Sequence, residues 1–167
     1  MKQSDAELVG SALSAAGFDF AVTLPATQIH TLQSWLAESP AFTTVAVTNE
    51  GEGTAICAGA WMAGRMPVIV METSGILVST YALLRCHATF GIPTLLLSTY
   101  RGGIGDREWY SVHTGAVIPQ LMQSIRIPTK VVTRAEEVAT TILDARRSMD
   151  ASLHPVSLVL DVRFTDQ

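Results

Sequence analysis

Residues 48 to 61 read TNEGEGTAICAGAW, with two carboxylates, Glu50 and Glu52, three glycines and no basic side chain. Two chemistries suit that composition. A glycine-rich turn opening a helix can aim backbone N–H groups at phosphates. A carboxylate at the same place can hold or move a proton.

The phosphate reading has partial support. GEGTAI follows a predicted strand, and Glu72 lies nineteen residues beyond Gly53, where the ribose-binding acid of a dinucleotide site would stand. Against it, Ile56 occupies the third small position of G-x-G-x-x-G, two carboxylates crowd a would-be pyrophosphate, and the pattern follows the second strand rather than the first. No G-x-x-x-x-G-K-[ST] occurs anywhere, which excludes a P-loop. His30, His87, His113 and His154 are widely separated, with no H-x-x-x-H or C-x-x-C spacing, so no metal ligand set is assigned.

The carboxylate reading must choose between two residues. Successive helical positions are ~100° apart, so Glu50 and Glu52 project to nearly opposite sides of a helix that begins here. They cannot share one task. An acid in a first turn also interacts favourably with the helix dipole, and that explanation needs no chemistry. The residues that follow, Gly51, Gly53, Ala55, Ala58, Gly59, Ala60, Ala63 and Gly64, let another backbone approach closely. A carboxylate at the mouth of such a helix would be partly desolvated, which favours its protonated form.

The elements that must position these groups alternate along the chain. Ser4 and Glu7 form a capping-box pattern at the start of a helix running to about Gly17. Short apolar runs at 20–24, 42–48, 67–73, 94–99, 128–133 and 156–162 are predicted strands. Helical patterns lie between them: IHTLQSWL, the quoted stretch, ILVSTYALLRCHATF, AVIPQLMQSI, and a segment opened by a second capping box from Thr133 to Glu136. Several strands are continuously apolar, as expected where helices cover both faces of a parallel sheet. A three-layer α/β/α domain over 1–167 with a six-stranded parallel sheet is predicted. Ligand-handling groups in such sheets gather at the carboxyl ends of strands, here after Leu24, Thr48, Thr73 and Thr99. The last of these opens YRGGIGDREWYSVHTG, the longest connection, read as a loop.

Bulk properties narrow the function classes. A net charge of −4 with no Lys/Arg cluster leaves no footprint for nucleic acid or an anionic membrane surface. Hydrophobic residues make up 48% of the chain, which favours surface buried against other chains. Cys57 and Cys86 lie within helical apolar patterns and read as reduced core residues. MKQSDAELVG lacks an apolar leader region, and no window approaches ~18 uninterrupted apolar residues, so a cytoplasmic location is expected.

NEGEGTAICAGAWMAGR, with Glu50 nine residues before Gly59 of G-A-W, resembles the segment of thiamine-diphosphate-dependent 2-oxo-acid decarboxylases that carries their cofactor-activating glutamate. LP at 24–25, TSG at 73–75 and GIPTLLLSTYRG at 91–102 are similar too, and the likeness to the sulfopyruvate and phosphonopyruvate decarboxylase type spans roughly residues 4 to 165. It implies a pyrimidine-binding domain in which Glu50 bonds N1′ of the aminopyrimidine and favours its imino tautomer. Pro25, Thr73, Ser74 and Gly75 would line the cofactor. Thr27, Arg101 and His113 would meet the substrate, His113 by relaying protons or orienting it; Arg107 is a further candidate cation. A helix N-cap suits Thr27 equally, and a surface position suits His113. The family's G-D-G motif and downstream Asn are absent, Gly105-Asp106-Arg107 being the nearest fragment. The resemblance therefore implies a separate diphosphate-binding β subunit that holds Mg²⁺ in a hetero-oligomer.

Three departures leave the substrate open. TSGILV stands where sulfopyruvate-type chains read close to N-S-G-L-G-N, NEGEG stands where they carry an acidic R-E-E-E-like segment, and His113 stands where they usually lack histidine. A bulkier, less charged 2-oxo acid is one alternative; a non-catalytic α/β nucleotide-binding module is the other class.

Overall fold

In the computed structural model, which describes residues 1–103, 106 and 108–161, six strands form one parallel sheet. In chain order the elements are α1 (Gln3–Ala15), β1 (Phe20–Thr23), α2 (His30–Glu38), β2 (Thr43–Ala46), α3 (Glu50–Met62), β3 (Pro67–Glu72), α4 (Thr73–Ala82), β4 (Leu95–Tyr100), α5 (Trp109–Ala116), α6 (Ile118–Ser124), β5 (Thr129–Val132), α7 (Val138–Ser152) and β6 (Val156–Asp161). A π-helical turn, Leu83–Ala88, prolongs α4. The strand order is β2-β1-β3-β4-β6-β5.

Side chains alternate across the sheet and meet helices on both faces. Val68, Val70, Leu95 and Leu97 join α1, α2 and α7 through Val9, Leu13, Leu36, Ile142 and Met149. Ile69, Met71 and Leu96 meet α3, α4 and α6 through Cys57, Ile76, Ile118 and Met122. This two-sided burial is why the strands carry continuous apolar runs. The chain steps from β2 at one edge across β1 to β3, so the sequence order reverses between β1 and β3 and leaves a crevice at their carboxyl ends.

Several boundaries differ from the sequence expectation. Neither capping box forms. Helix α1 begins at Gln3 with Lys2 as its N-cap and no side-chain cap, and Gln3 Nε2 donates to Glu7 at 3.0 Å. Met1 is tied to α2, accepting from Thr31 Oγ1 at 3.0 Å, which supports the earlier start. Near Thr133, a short 3₁₀ turn at Ala135–Glu137 leads into α7 with Arg134 as its flanking residue. Strand β3 ends at Glu72, and α4 starts at Thr73 with no loop between them. Residues 109–115, read as loop, are helical as part of α5; its buried residues are Ser111 and Gly115, so no apolar stripe advertised it. Ile104, Gly105, Arg107 and residues 162–167, including the expected end of the last strand, lie outside the described residues. No helix among the described residues is long and apolar enough to cross a membrane.

The glycines of α3 serve packing. A Cβ on Gly53 would stand 2.9 to 3.1 Å from Val22, Val47 and Ile69, so this helix rests directly on the sheet. Gly59, by contrast, faces open space. Cys57, on the sheet side of α3, is fully buried, and desolvation pushes its thiol up to about 12. Cys86 is only partly buried. A thiol reagent at neutral pH is expected to modify Cys86 in the native protein and Cys57 only after unfolding, read by mass spectrometry of tryptic peptides.

Candidate active site

The GEG segment is not a phosphate-binding loop, because Glu50 is already the first residue of α3 and both glycines lie within the helix. Asn49 is the N-cap, and its side chain accepts from Glu52 N at 3.2 Å. Glu52 projects into solvent, while Glu50 is partly buried and turns toward α4. A Cβ on Gly75 would lie 2.7 Å from both Cγ and Oε1 of Glu50, so the carboxylate arm lies flat over the Gly75 backbone. A Cβ on Gly51 would meet the Val78 carbonyl at 3.4 Å. Thus two segments far apart in sequence, N-E-G-E-G and T-S-G, form one surface at the start of two helices.

Around Glu50 the polar groups fall into two kinds. Ser74 Oγ donates to Glu72 Oε2 at 3.3 Å, and Thr54 Oγ1 donates to the Glu50 carbonyl at 2.8 Å. Thr73 Oγ1 and Thr99 Oγ1, at the carboxyl ends of β3 and β4, are buried without a hydrogen-bond partner among the described residues. Buried hydroxyls of that kind are costly unless a ligand or water uses them.

Pro25 and Thr27 are exposed on the turn after β1. The N-cap of α2 is Ile29, so Thr27 does not cap that helix; its carbonyl lies 2.7 Å from His30 Nδ1. Gln33, which sequence reasoning passed over, organises this turn: Nε2 donates to the carbonyls of Leu24 and Val70 at 2.5 and 3.2 Å, and Oε1 accepts from Ala26 N at 3.2 Å. Its signal was there, a glutamine among Ile29, Leu32 and Leu36 on the apolar face of a helix. His87 was likewise unassigned. It is fully buried on the π turn, with Nδ1 2.9 Å from Ile92 O and Nε2 2.8 Å from Thr54 O. Desolvation lowers its pKa below the ordinary histidine value, outweighing the two carbonyl contacts.

Arg101 is buried, 3.5 Å from Asp106 and 3.6 Å from Glu108. Asp106 also accepts from Gly102 N at 2.8 Å and Glu108 N at 3.0 Å. The far side of the turn is equally close: Gly102 sits at φ +83°, and a Cβ on Gly115 would collide with the Arg101 carbonyl. Arg101 therefore fastens the β4–α5 connection in this structure. His113 lies on α5, exposed, on a helix and not on the loop the sequence suggested. Tyr110, near it on α5, is hydrogen-bonded to Glu108, and that contact raises its pKa. Arg107 lies outside the described residues.

Comparison with known proteins decides between the function classes. Over 154 residues the chain is 31% identical to the sulfopyruvate decarboxylase subunit alpha of Methanocaldococcus jannaschii, covering 92% of this chain and 91% of that one. The chain belongs to the sulfopyruvate decarboxylase alpha-subunit family. The subunit alpha from Methanothermobacter thermautotrophicus is 29% identical over 98% of this chain and 99% of its own. A sulfopyruvate decarboxylase from Methanosarcina acetivorans is 28% identical over 83% of this chain but only 36% of its own length. No protein-family model matches. Among solved structures, 2-oxoglutarate:ferredoxin oxidoreductase from Magnetococcus marinus superposes with a TM-score of 0.72 at 18% identity, over 99% of this chain and 29% of that one. At that identity the likeness is one of fold.

The ion pairs around Arg101 make an internal prediction. Asp106→Asn, which removes a charge from a side chain 2% exposed, is expected to lower the unfolding free energy by about 3 kcal/mol. Glu108→Gln, at a side chain 41% exposed, is expected to cost less than about 1 kcal/mol, both read by urea denaturation.

Proposed function

We propose that this chain is the pyrimidine-binding α subunit of a two-subunit, thiamine-diphosphate-dependent 2-oxo-acid decarboxylase acting on a sulfopyruvate- or phosphonopyruvate-like substrate. The observation that carries the proposal is the Glu50 carboxylate lying over Gly75, between the starts of α3 and α4. A flat heteroaromatic ring needs a polar group in the plane of its ring nitrogen, and the partly buried Glu50 carboxylate, held against the backbone of the second helix, supports that reading. The buried, unpartnered hydroxyl of Thr73 adds a polar group at the same edge.

Thiamine diphosphate, when bound, supplies an electron sink that lets CO2 leave a 2-oxo acid. This chain's contribution is at the ring nitrogen. Glu50 would share a proton with N1′ and so set the tautomer of the aminopyrimidine; Gly75, lacking a side chain, leaves the carboxylate room to lie flat. Pro25, Thr73, Ser74 and Gly75 would bound the ring. His113 and Thr27, both exposed here, would face substrate once a partner covers them. Arg101 would reach an anionic tail only by leaving Asp106 and Glu108, and those ion pairs favour a less charged substrate as the second reading.

The diphosphate and Mg²⁺ would be held by a β subunit, since G-D-G is absent from the sequence. The match to about a third of a longer decarboxylase supports a division of labour between this unit and another. Apolar surface on the outer side of α3 and the π turn supports a docking face there. A groove of about 490 Å³ there is lined by Ala55, Ala58, Gly59, Trp61, Cys86 and Phe90. Met62 is 74% exposed and Phe90 68% exposed beside it. Apolar surface of this kind is unusual on a chain that works alone.

The test is CO2 release by the chain co-purified with a G-D-G-bearing partner, with thiamine diphosphate, Mg²⁺ and a panel of 2-oxo acids. Glu50→Gln is expected to lower kcat by about 10³-fold, and Glu52→Gln by less than about threefold. Equal losses, or none, would overturn the role of Glu50. Gly75→Ala is expected to keep or slightly raise the Tm, because alanine favours a helix, while weakening cofactor binding by about 10²-fold as its methyl displaces the carboxylate. Cofactor affinity unchanged in Gly75→Ala would count against the role of the Glu50–Gly75 contact.

A further inference from the structure

His87 is buried at the centre of the face that carries Glu50, yet it takes no part in the chemistry proposed above. Its two ring contacts are not equivalent. The turn from His87 to Ile92 is already closed by backbone bonds, with Phe90 N and Ile92 N both donating to the His87 carbonyl at 3.1 Å. That turn needs no proton from Nδ1, so the single N–H of the neutral ring is free to sit on Nε2. The contact from Nε2 reaches a different element, the Thr54 carbonyl on α3, and the Thr54 hydroxyl continues to the Glu50 carbonyl.

Glu50 and Thr54 are one helical turn apart, at i and i+4, and so share a face of α3. The continuous element made of α4 and the π turn therefore touches that face twice, at Gly75 beneath Glu50 and at His87 beside Thr54. A π turn accommodates an extra residue and re-aims the side chains after it, which explains why an irregular turn is kept at 83–88. Gly53 seats α3 on the sheet, and these two contacts from the α4 side set the rotation of its first turns.

We infer that His87 is a positioning residue for Glu50: its Nε2–H holds the Thr54 carbonyl, setting the rotation of the first turns of α3 so that the carboxylate lies over Gly75. This rests on the assignment of Glu50 to the cofactor ring. It differs from a simple core role in requiring a donor at the Nε2 position specifically.

Two substitutions separate those positions. The amide nitrogen of glutamine reaches about as far as Nε2, whereas that of asparagine reaches only about as far as Nδ1. In the complex with the partner subunit, His87→Gln is expected to bind thiamine diphosphate within about threefold of the parent chain. His87→Asn is expected to bind about tenfold more weakly, with faster hydrogen exchange at the amides of residues 51–54. Equal affinity in the two variants, kept or lost together, overturns the inference. If His87→Asn does not fold, His87→Met decides, since it fills the site without a donor: a tenfold loss of affinity with faster exchange at residues 51–54 supports the clamp, and an affinity kept as in His87→Gln overturns it. Glu50→Gln run alongside separates the two failures. Should that variant bind and turn over normally, the role of Glu50 falls, whereas unchanged exchange at residues 51–54 in folded His87→Asn overturns the clamp whatever Glu50 does.

Discussion

The contact on which the site depends is steric before it is electrostatic: a glutamate arm rests where any side chain on Gly75 would be. Everything nearby serves that close approach. Strand β3 passes into α4 with no intervening loop, which fixes the height of Gly75 above the sheet. Gly53 lets α3 sink onto Val22 and Ile69, which fixes the height of Glu50. The Asn49 cap ends the preceding extended segment and sets the first turn of α3. A shift in any of these would move the carboxylate relative to the second helix, and bulk at residue 75 would remove its resting place.

How much of this was legible follows from the signals involved. The sheet was readable because burial on both faces leaves mostly apolar residues in β3, β4 and β6. The alternation of elements pointed to the carboxyl ends of the strands, while the crevice itself needed the strand order. The small residues of α3 drew attention to its two acids, and the resemblance to the decarboxylases singled out Glu50. The capping boxes misled because a short motif predicts a helix start only when nothing upstream competes, and Met1 is held against α2. Helix α5 was hidden because it buries Ser111 and Gly115 against backbone, so hydrophobic periodicity had nothing to report. Gln33 and His87 were visible as letters but not as partners: a buried polar residue shows its purpose only when the carbonyls it serves, Leu24 and Val70 or Thr54 and Ile92, are brought beside it.

Arg101 illustrates the opposite error, in which the residue was found and its setting was not. A lone arginine after a strand reads as an anion receptor. Asp106 and Glu108, only a few residues later, enclose it and turn it into the fastening of its own loop. Charge in a sequence is a net quantity, whereas recognition depends on which opposite charge the backbone returns to the same spot.

That enclosure separates two responsibilities within the molecule. The groups that would grip the cofactor sit on α3 and α4, while Arg101, Tyr110 and His113 belong to the β4–α5 segment, whose internal ion pairs make it largely self-supporting. Replacing side chains along that segment would alter what enters the crevice without moving Glu50. A lineage could thereby explore new acids by substitution in one short stretch, keeping the proposed ring-binding contact between α3 and α4 intact.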